Sequence, residues 1–150
     1  MSLTESAKTI FFVGLSLLSF QDYKKKEVNM AALAALGFCG LLIRTADSGT
    51  QWISVLAAIS VGIVMLIASC LSRGKIGAGD GWILIVGALY LELWDFLQML
   101  INALYLTGIA GLLLLLAKKC NRKASVPFYP FLLAGYVTVL WFNGSRRLSE

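Results

Sequence analysis

Gly77-Ala78-Gly79-Asp80 stands between a basic turn, Ser72-Arg73-Gly74-Lys75, and an apolar run, Trp82-Ile83-Leu84-Ile85-Val86. A carboxylate placed where a chain re-enters hydrocarbon is expensive, which marks it as a functional residue by default. Two glycines immediately before it allow close backbone approach and unusual dihedrals. The rest of the chain reads as a frame that holds Asp80 at one membrane face and brings a second carboxylate to it. Asp22 is the candidate for that second group.

The composition supports such a frame. The 150 residues are 59% hydrophobic and 14% charged, with a mean hydropathy of +0.81. A soluble domain is about half apolar and about a quarter charged. The balance implies an integral membrane protein folded as one domain over residues 1–150. The net charge is +5. Its basic residues fall in the gaps between apolar runs, where they set topology and touch anionic lipid. No aromatic-basic interleaving of the kind that binds single strands is present, so the bilayer rather than nucleic acid is the expected partner.

Six apolar runs follow one another: about Ile10 to Phe20 (extended back to about Leu3), Val28 to Ile43, Trp52 to Leu71, Gly81 to Leu93, Phe96 to Ala117, and Pro127 to Phe142. The first is followed by Gln21-Asp22-Tyr23-Lys24-Lys25-Lys26 rather than by a small-residue cleavage site, so it reads as a retained helix. The pattern predicts an all-α polytopic membrane protein with six transmembrane helices. Alternate gaps hold nine basic residues, Lys24, Lys25, Lys26, Arg73, Lys75, Lys118, Lys119, Arg122 and Lys123, against four on the other side, Lys8, Arg44, Arg146 and Arg147. The positive-inside rule puts the nine in the cytoplasm. Asp22 and Asp80 then share the cytoplasmic face of a cell membrane. Glu92 and Asp95 lie on the outer side, where solvation is expected.

If the first and fourth helices are neighbours, Asp22 and Asp80 can meet. Two carboxylates at hydrogen-bond distance in a partly desolvated site hold one proton between them. The ionised member can take a proton from water as that water attacks a peptide carbonyl. The protonated member polarises the carbonyl oxygen and helps protonate the leaving amine. A blander reading is open at this point: Asp22 pairs with Lys25 or Lys26, and Asp80 caps the fourth helix.

Chemistry that needs other residues is excluded. The chain has no histidine, and Cys39, Cys70 and Cys120 form no CxxC pair. That removes Ser-His-Asp hydrolysis and most zinc sites, and no metal or cofactor is implied. Cys39 and Cys70 read as packing residues and Cys120 as a free loop thiol. A serine–lysine peptidase needs a buried lysine, and every lysine reads as lying in or beside a loop.

Three motifs occur in order: Asp22-Tyr-Lys-Lys-Lys-Glu-Val28-Asn29, then Gly77-Ala78-Gly79-Asp80, then Val126-Pro127-Phe128-Tyr129-Pro130-Phe131. Together they resemble the type IV prepilin peptidase family, the GxGD membrane aspartyl proteases, over essentially the whole chain. Members pair an aspartate after the first helix of this core, in a D-x5-[IV]-P-N pattern, with the aspartate of GxGD. They carry a P-F-x-P-F-like stretch at the start of a late helix. Here Asn29 follows Val28 directly, and Trp82 stands where lysine is frequent. Both departures bear on leader recognition. Long members add a four-cysteine cytoplasmic loop associated with zinc and N-methylation, which nothing here matches. The resemblance therefore implies a peptidase that removes a short basic leader from prepilin-like proteins, cutting after a glycine and before an apolar helix. It implies Asp22 and Asp80 as catalytic, and Gly77, Gly79, Pro127 and Pro130 as residues that shape the site. Glu27 is a candidate to receive the basic leader. Two rival functions compete: a noncatalytic assembly or scaffold protein on the same fold, and a small proton-coupled transporter. Presenilin-like GxGD proteases would need a longer chain.

Overall fold

In the computed structural model the described residues are 3–25, 29–47, 49, 51–72, 77–116 and 128–147. They form six α-helices and, among the described residues, no strand: α1 Leu3–Lys25, α2 Met30–Ala46, α3 Trp52–Leu71, α4 Ala78–Tyr90, α5 Leu93–Leu116 and α6 Phe128–Arg147. The helices match the apolar runs because, apart from Glu92 at the end of the fourth and Pro127 and Pro130 at the start of the sixth, each run is free of Pro and charge until a polar gap releases the chain. Asn29 starts α2, its side-chain oxygen accepting the N–H groups of Ala31 at 3.0 Å and Ala32 at 3.4 Å. Such a cap contributes about 1 kcal/mol. Pro130 sits in the first turn of α6, where the N–H it lacks would have had no helical partner. Pro127 and Glu27 lie outside the described residues.

α3 and the Leu93–Leu113 part of α5 are each long and apolar enough to cross a membrane by length and composition. The exterior is apolar on the other helices as well: Leu17 and Phe20 on α1, Phe38 and Leu42 on α2, and Trp141 and Phe142 on α6 are all exposed. An exposed apolar girdle of this extent marks a surface that meets lipid. Cys39 and Cys70, expected to be packing residues, face outward on α2 and α3.

α4 occupies the centre. Gly81, Ile83, Leu84, Val86, Gly87, Ala88 and Tyr90 are buried along its 13 residues. α3 and α2 both pack on it, α5 packs on α6, and α1 lies against α6, α2 and α4. Close approach rests on glycine, as membrane helix packing favours. A Cβ on Gly62 of α3 would come within 2.9 Å of the Ile85 nitrogen, and one on Gly135 of α6 within 2.6 Å of the Met99 oxygen. In both cases the obstacle is neighbouring backbone, which has nowhere to go.

Three tyrosine hydroxyls tie helices together by donating to backbone carbonyls. Tyr90 donates to Leu36 at 2.7 Å, Tyr129 to Gly79 at 2.9 Å and Tyr136 to Lys8 at 3.0 Å. Phe11 of α1 fits between two of these rings. It stacks on Tyr90 with a centroid separation of 5.2 Å and meets Tyr136 edge-on at 5.2 Å. That aromatic cluster fixes α1 against α4 and α6 together, the contact the sequence left open.

Candidate active site

The buried face of α1 is a helical stripe, Phe11, Leu15, Leu18 and Asp22, spaced at i, i+4, i+7 and i+11. The stripe of α4 runs Asp80, Ile83, Leu84, Gly87 and Leu91; that of α6 runs Tyr129, Leu132, Tyr136 and Val139. α1 lies against both α4 and α6. Asp22 closes the first stripe, and Asp80 and Tyr129 open the other two. The three residues meet at one end of the core, so the acids are continuations of apolar faces rather than surface charges.

Asp22 is 9% exposed, and its Oδ2 atom is buried with no hydrogen-bond partner among the described residues. The backbone N–H of Tyr129, free at the start of α6, faces its carboxylate and favours the ionised form. Burial pushes the Asp22 carboxyl the other way, upward from its ordinary 3.8, and is the larger effect. Asp80 lies in the first turn of α4, just before the apolar run, and is half-buried. Burial first, and the charge of Asp22 second, push its carboxyl up from 3.8 to about 6. The charge of Asp22 is thus felt by Asp80 from across the α1–α4 contact. The Tyr129 hydroxyl also feels the charge of both.

Gly77 is the N-cap of α4, with φ −63° and ψ 125°, an ordinary extended conformation. The unusual dihedral expected at this glycine is therefore absent. The Asp80 carboxyl folds back over it, with Oδ2 3.5 Å from where a Cβ would stand, an ordinary contact distance. The Asp80 N–H donates to the Gly77 carbonyl at 3.1 Å. Gly79 supplies the carbonyl that receives the Tyr129 hydroxyl. Tyr129 was legible only as the variable position of a proline-flanked motif. The i+3, i+7, i+10 spacing to Leu132, Tyr136 and Val139 was the signal that it faces the core.

At the other end of the bundle, between α1, α5 and α6, sits a second polar cluster. Lys8 of α1 pairs with Asp95 of α5 at 2.9 Å, and Asn143 of α6 donates to both Asp95 carboxylate oxygens at 3.2 Å. Asp95 is 9% exposed. The expectation that it is solvated is wrong, because three helices close over it. Lys8 likewise lies within α1 rather than beside a loop, its ammonium engaged by Asp95. A cavity of about 250 Å³ opens beside Lys8 and Asn143, at the far end of the bundle from Asp22 and Asp80. Among the described residues no group of three His, Cys, Asp or Glu side chains is placed to hold a metal ion.

A sequence profile of the type IV leader peptidase family matches residues 9–117. The chain belongs to that family. The matched span contains both Asp22 and Asp80 and stops short of α6, which supplies Tyr129. Searches of curated proteins and of solved structures find no match. Membership and the apolar exterior make this a membrane protein of a peptidase family.

Proposed function

We propose that this leader peptidase is an aspartyl endopeptidase that cleaves the short basic leader from prepilin-like proteins at the cytoplasmic face of the cell membrane. In this reading all six helices span the bilayer. The 13-residue α4 is only about 20 Å long, but it is enclosed by the other helices and need not meet lipid along its length. Residues 1–150 then form one membrane-embedded domain.

The observation that carries the reading is the placement of a buried Asp22 and a half-buried Asp80 on two helices that pack together, from segments far apart in sequence, in a chain of this family. Asp22 is assigned the base, since the Tyr129 N–H favours its ionised form. Asp80 is assigned the acid. Asp22 takes a proton from water while the oxygen of that water bonds to the scissile carbonyl carbon. Asp80 gives its proton to the carbonyl oxygen. Collapse of the tetrahedral intermediate breaks the C–N bond, returns that proton to Asp80 and passes the proton on Asp22 to the leaving amine. Gly77, Gly79, Pro127 and Pro130 are assigned the shaping of the site around the two acids. The site lies at one end of the bundle, whereas transporter sites lie near the midplane.

The test is leader cleavage by purified variants. Asp22→Asn and Asp80→Asn are each expected to abolish it. The double variant should be no worse than either, since residues acting as a unit are non-additive. Either single variant, folded and cleaving at the wild-type rate, would refute the paired mechanism.

A further inference from the structure

Of the three tyrosine–carbonyl bonds between helices, one differs from the others in its surroundings. Tyr90 and Tyr136 reach carbonyls of Leu36 and Lys8, away from the carboxylate pair. Tyr129 reaches the carbonyl of Gly79, the residue immediately before Asp80. The same residue turns its backbone N–H to the carboxylate of Asp22. It is 1% exposed, so its hydroxyl is shielded from exchange of the Gly79 carbonyl for bulk water. One residue thus bonds the turn that carries Asp80 and lies beside the buried Asp22 carboxylate, from a third helix that carries neither acid.

We infer that Tyr129 is the positioning residue of the carboxylate pair, its hydroxyl bond to Gly79 holding the Asp80 turn against the start of α6 and so setting its separation from Asp22. The inference rests on the proposed peptidase reading and deepens it. Asp22 and Asp80 repel when both are ionised, and α1 and α4 have no described cation between them at this end to offset that. Nothing in the repulsion itself sets a distance. The phenol ring is rigid and packed, and its hydroxyl bond pins the first turn of α4 to the first turn of α6. Asp22 lies on α1, which packs against both of those helices, so the bond also limits where Asp80 can sit relative to it. A misplacement of about 1 Å in such a constellation costs on the order of a hundredfold in rate. Tyr129 touches no reacting atom in this account and acts through the two acids.

The experiment compares Tyr129→Phe with Tyr90→Phe and Tyr136→Phe in the full-length protein. The substrate is a synthetic one: a basic leader ending in glycine, followed by an apolar helix. Each variant loses one hydroxyl–carbonyl bond between helices and keeps its ring. Tyr129→Phe is expected to lower kcat at least tenfold with KM unchanged. It should also move the alkaline limb of the kcat/KM profile to lower pH, because acids that drift apart surrender the shared proton more readily. The other two variants should keep the wild-type kcat and profile even where they lower the melting temperature as much. Incorporating 4-aminophenylalanine at position 129 restores a donor and should restore kcat. It also carries the test if Tyr129→Phe does not accumulate: a folded amino variant with kcat lost would overturn the inference. So would a Tyr129→Phe enzyme with wild-type kcat and pH profile, or losses in all three variants that simply track melting temperature. If wild-type protein leaves the substrate uncut, or Asp22→Asn and Asp80→Asn cut it, the peptidase reading fails. If those controls behave and Tyr129→Phe is silent, only the positioning role fails.

Discussion

Replacing Asp80 by Asn should make the protein more stable at neutral pH while removing its activity. Burial and Asp22 raise the Asp80 carboxyl from 3.8 to about 6. For an acid, a folded-state value above the unfolded one means that the fold resists ionisation. Between pH 3.8 and about 6 the folded chain therefore binds more protons than the unfolded chain, and stability falls as pH rises through that window. Each pH unit of the interval corresponds to ~1.4 kcal/mol, which sets a ceiling of about 3 kcal/mol above pH 6. Asp80 is only half-buried, so solvent screening reduces this to about 1–2 kcal/mol. Asn keeps the size and carries no charge, so at pH 7.5 it should relieve that cost and raise the melting temperature by roughly 3–6 °C. Below about pH 4 the wild-type carboxyl is itself neutral and the difference should vanish. Thermal unfolding in a mild detergent, followed by tryptophan fluorescence at several pH values, measures both. An Asp80→Asn protein no more stable than wild type at pH 7.5, or equally stabilised at pH 4, would refute the account of a desolvated, repelled carboxylate.

The polar cluster at the opposite end of the bundle should be structural. Asp95→Asn leaves the Lys8 ammonium half-buried without its partner, and the expected loss is about 2 kcal/mol, between the values for exposed and for fully buried pairs. Lys8→Met combined with Asp95→Leu should recover part of it, and unchanged unfolding of Asp95→Asn would count against the cluster. Orientation is checked in a cysteine-free background. A single cysteine at position 75 should be shielded from an impermeant thiol reagent in intact cells and one at position 49 should react, whereas the reverse pattern would invert the proposed topology.

The helices were legible in the sequence because hydrophobic run length is a local property, and Lys, Arg, Asp and Gly punctuate each run. The reading placed α3 at Trp52–Leu71, which are its observed ends, and α1 back to Leu3, where it begins. Asp22 and Asp80 were also legible as candidates, since a carboxylate at a hydrocarbon boundary stands out in an apolar chain. The sequence could not say that α1 lies against α4 and α6. That neighbourhood depends on Phe11 fitting between Tyr90 and Tyr136 and on α6 closing over α5 at Gly135, contacts between distant segments with no periodic signature. The same limitation hid Lys8–Asp95, whose partners are 87 residues apart, so Asp95 read as a solvated interfacial acid. Hydrophobicity along the chain set which segments are helices and where charges interrupt them. Only the packing of those helices decided which charges are buried, which helices bring them together, and that the Tyr129 hydroxyl bonds the carbonyl next to Asp80.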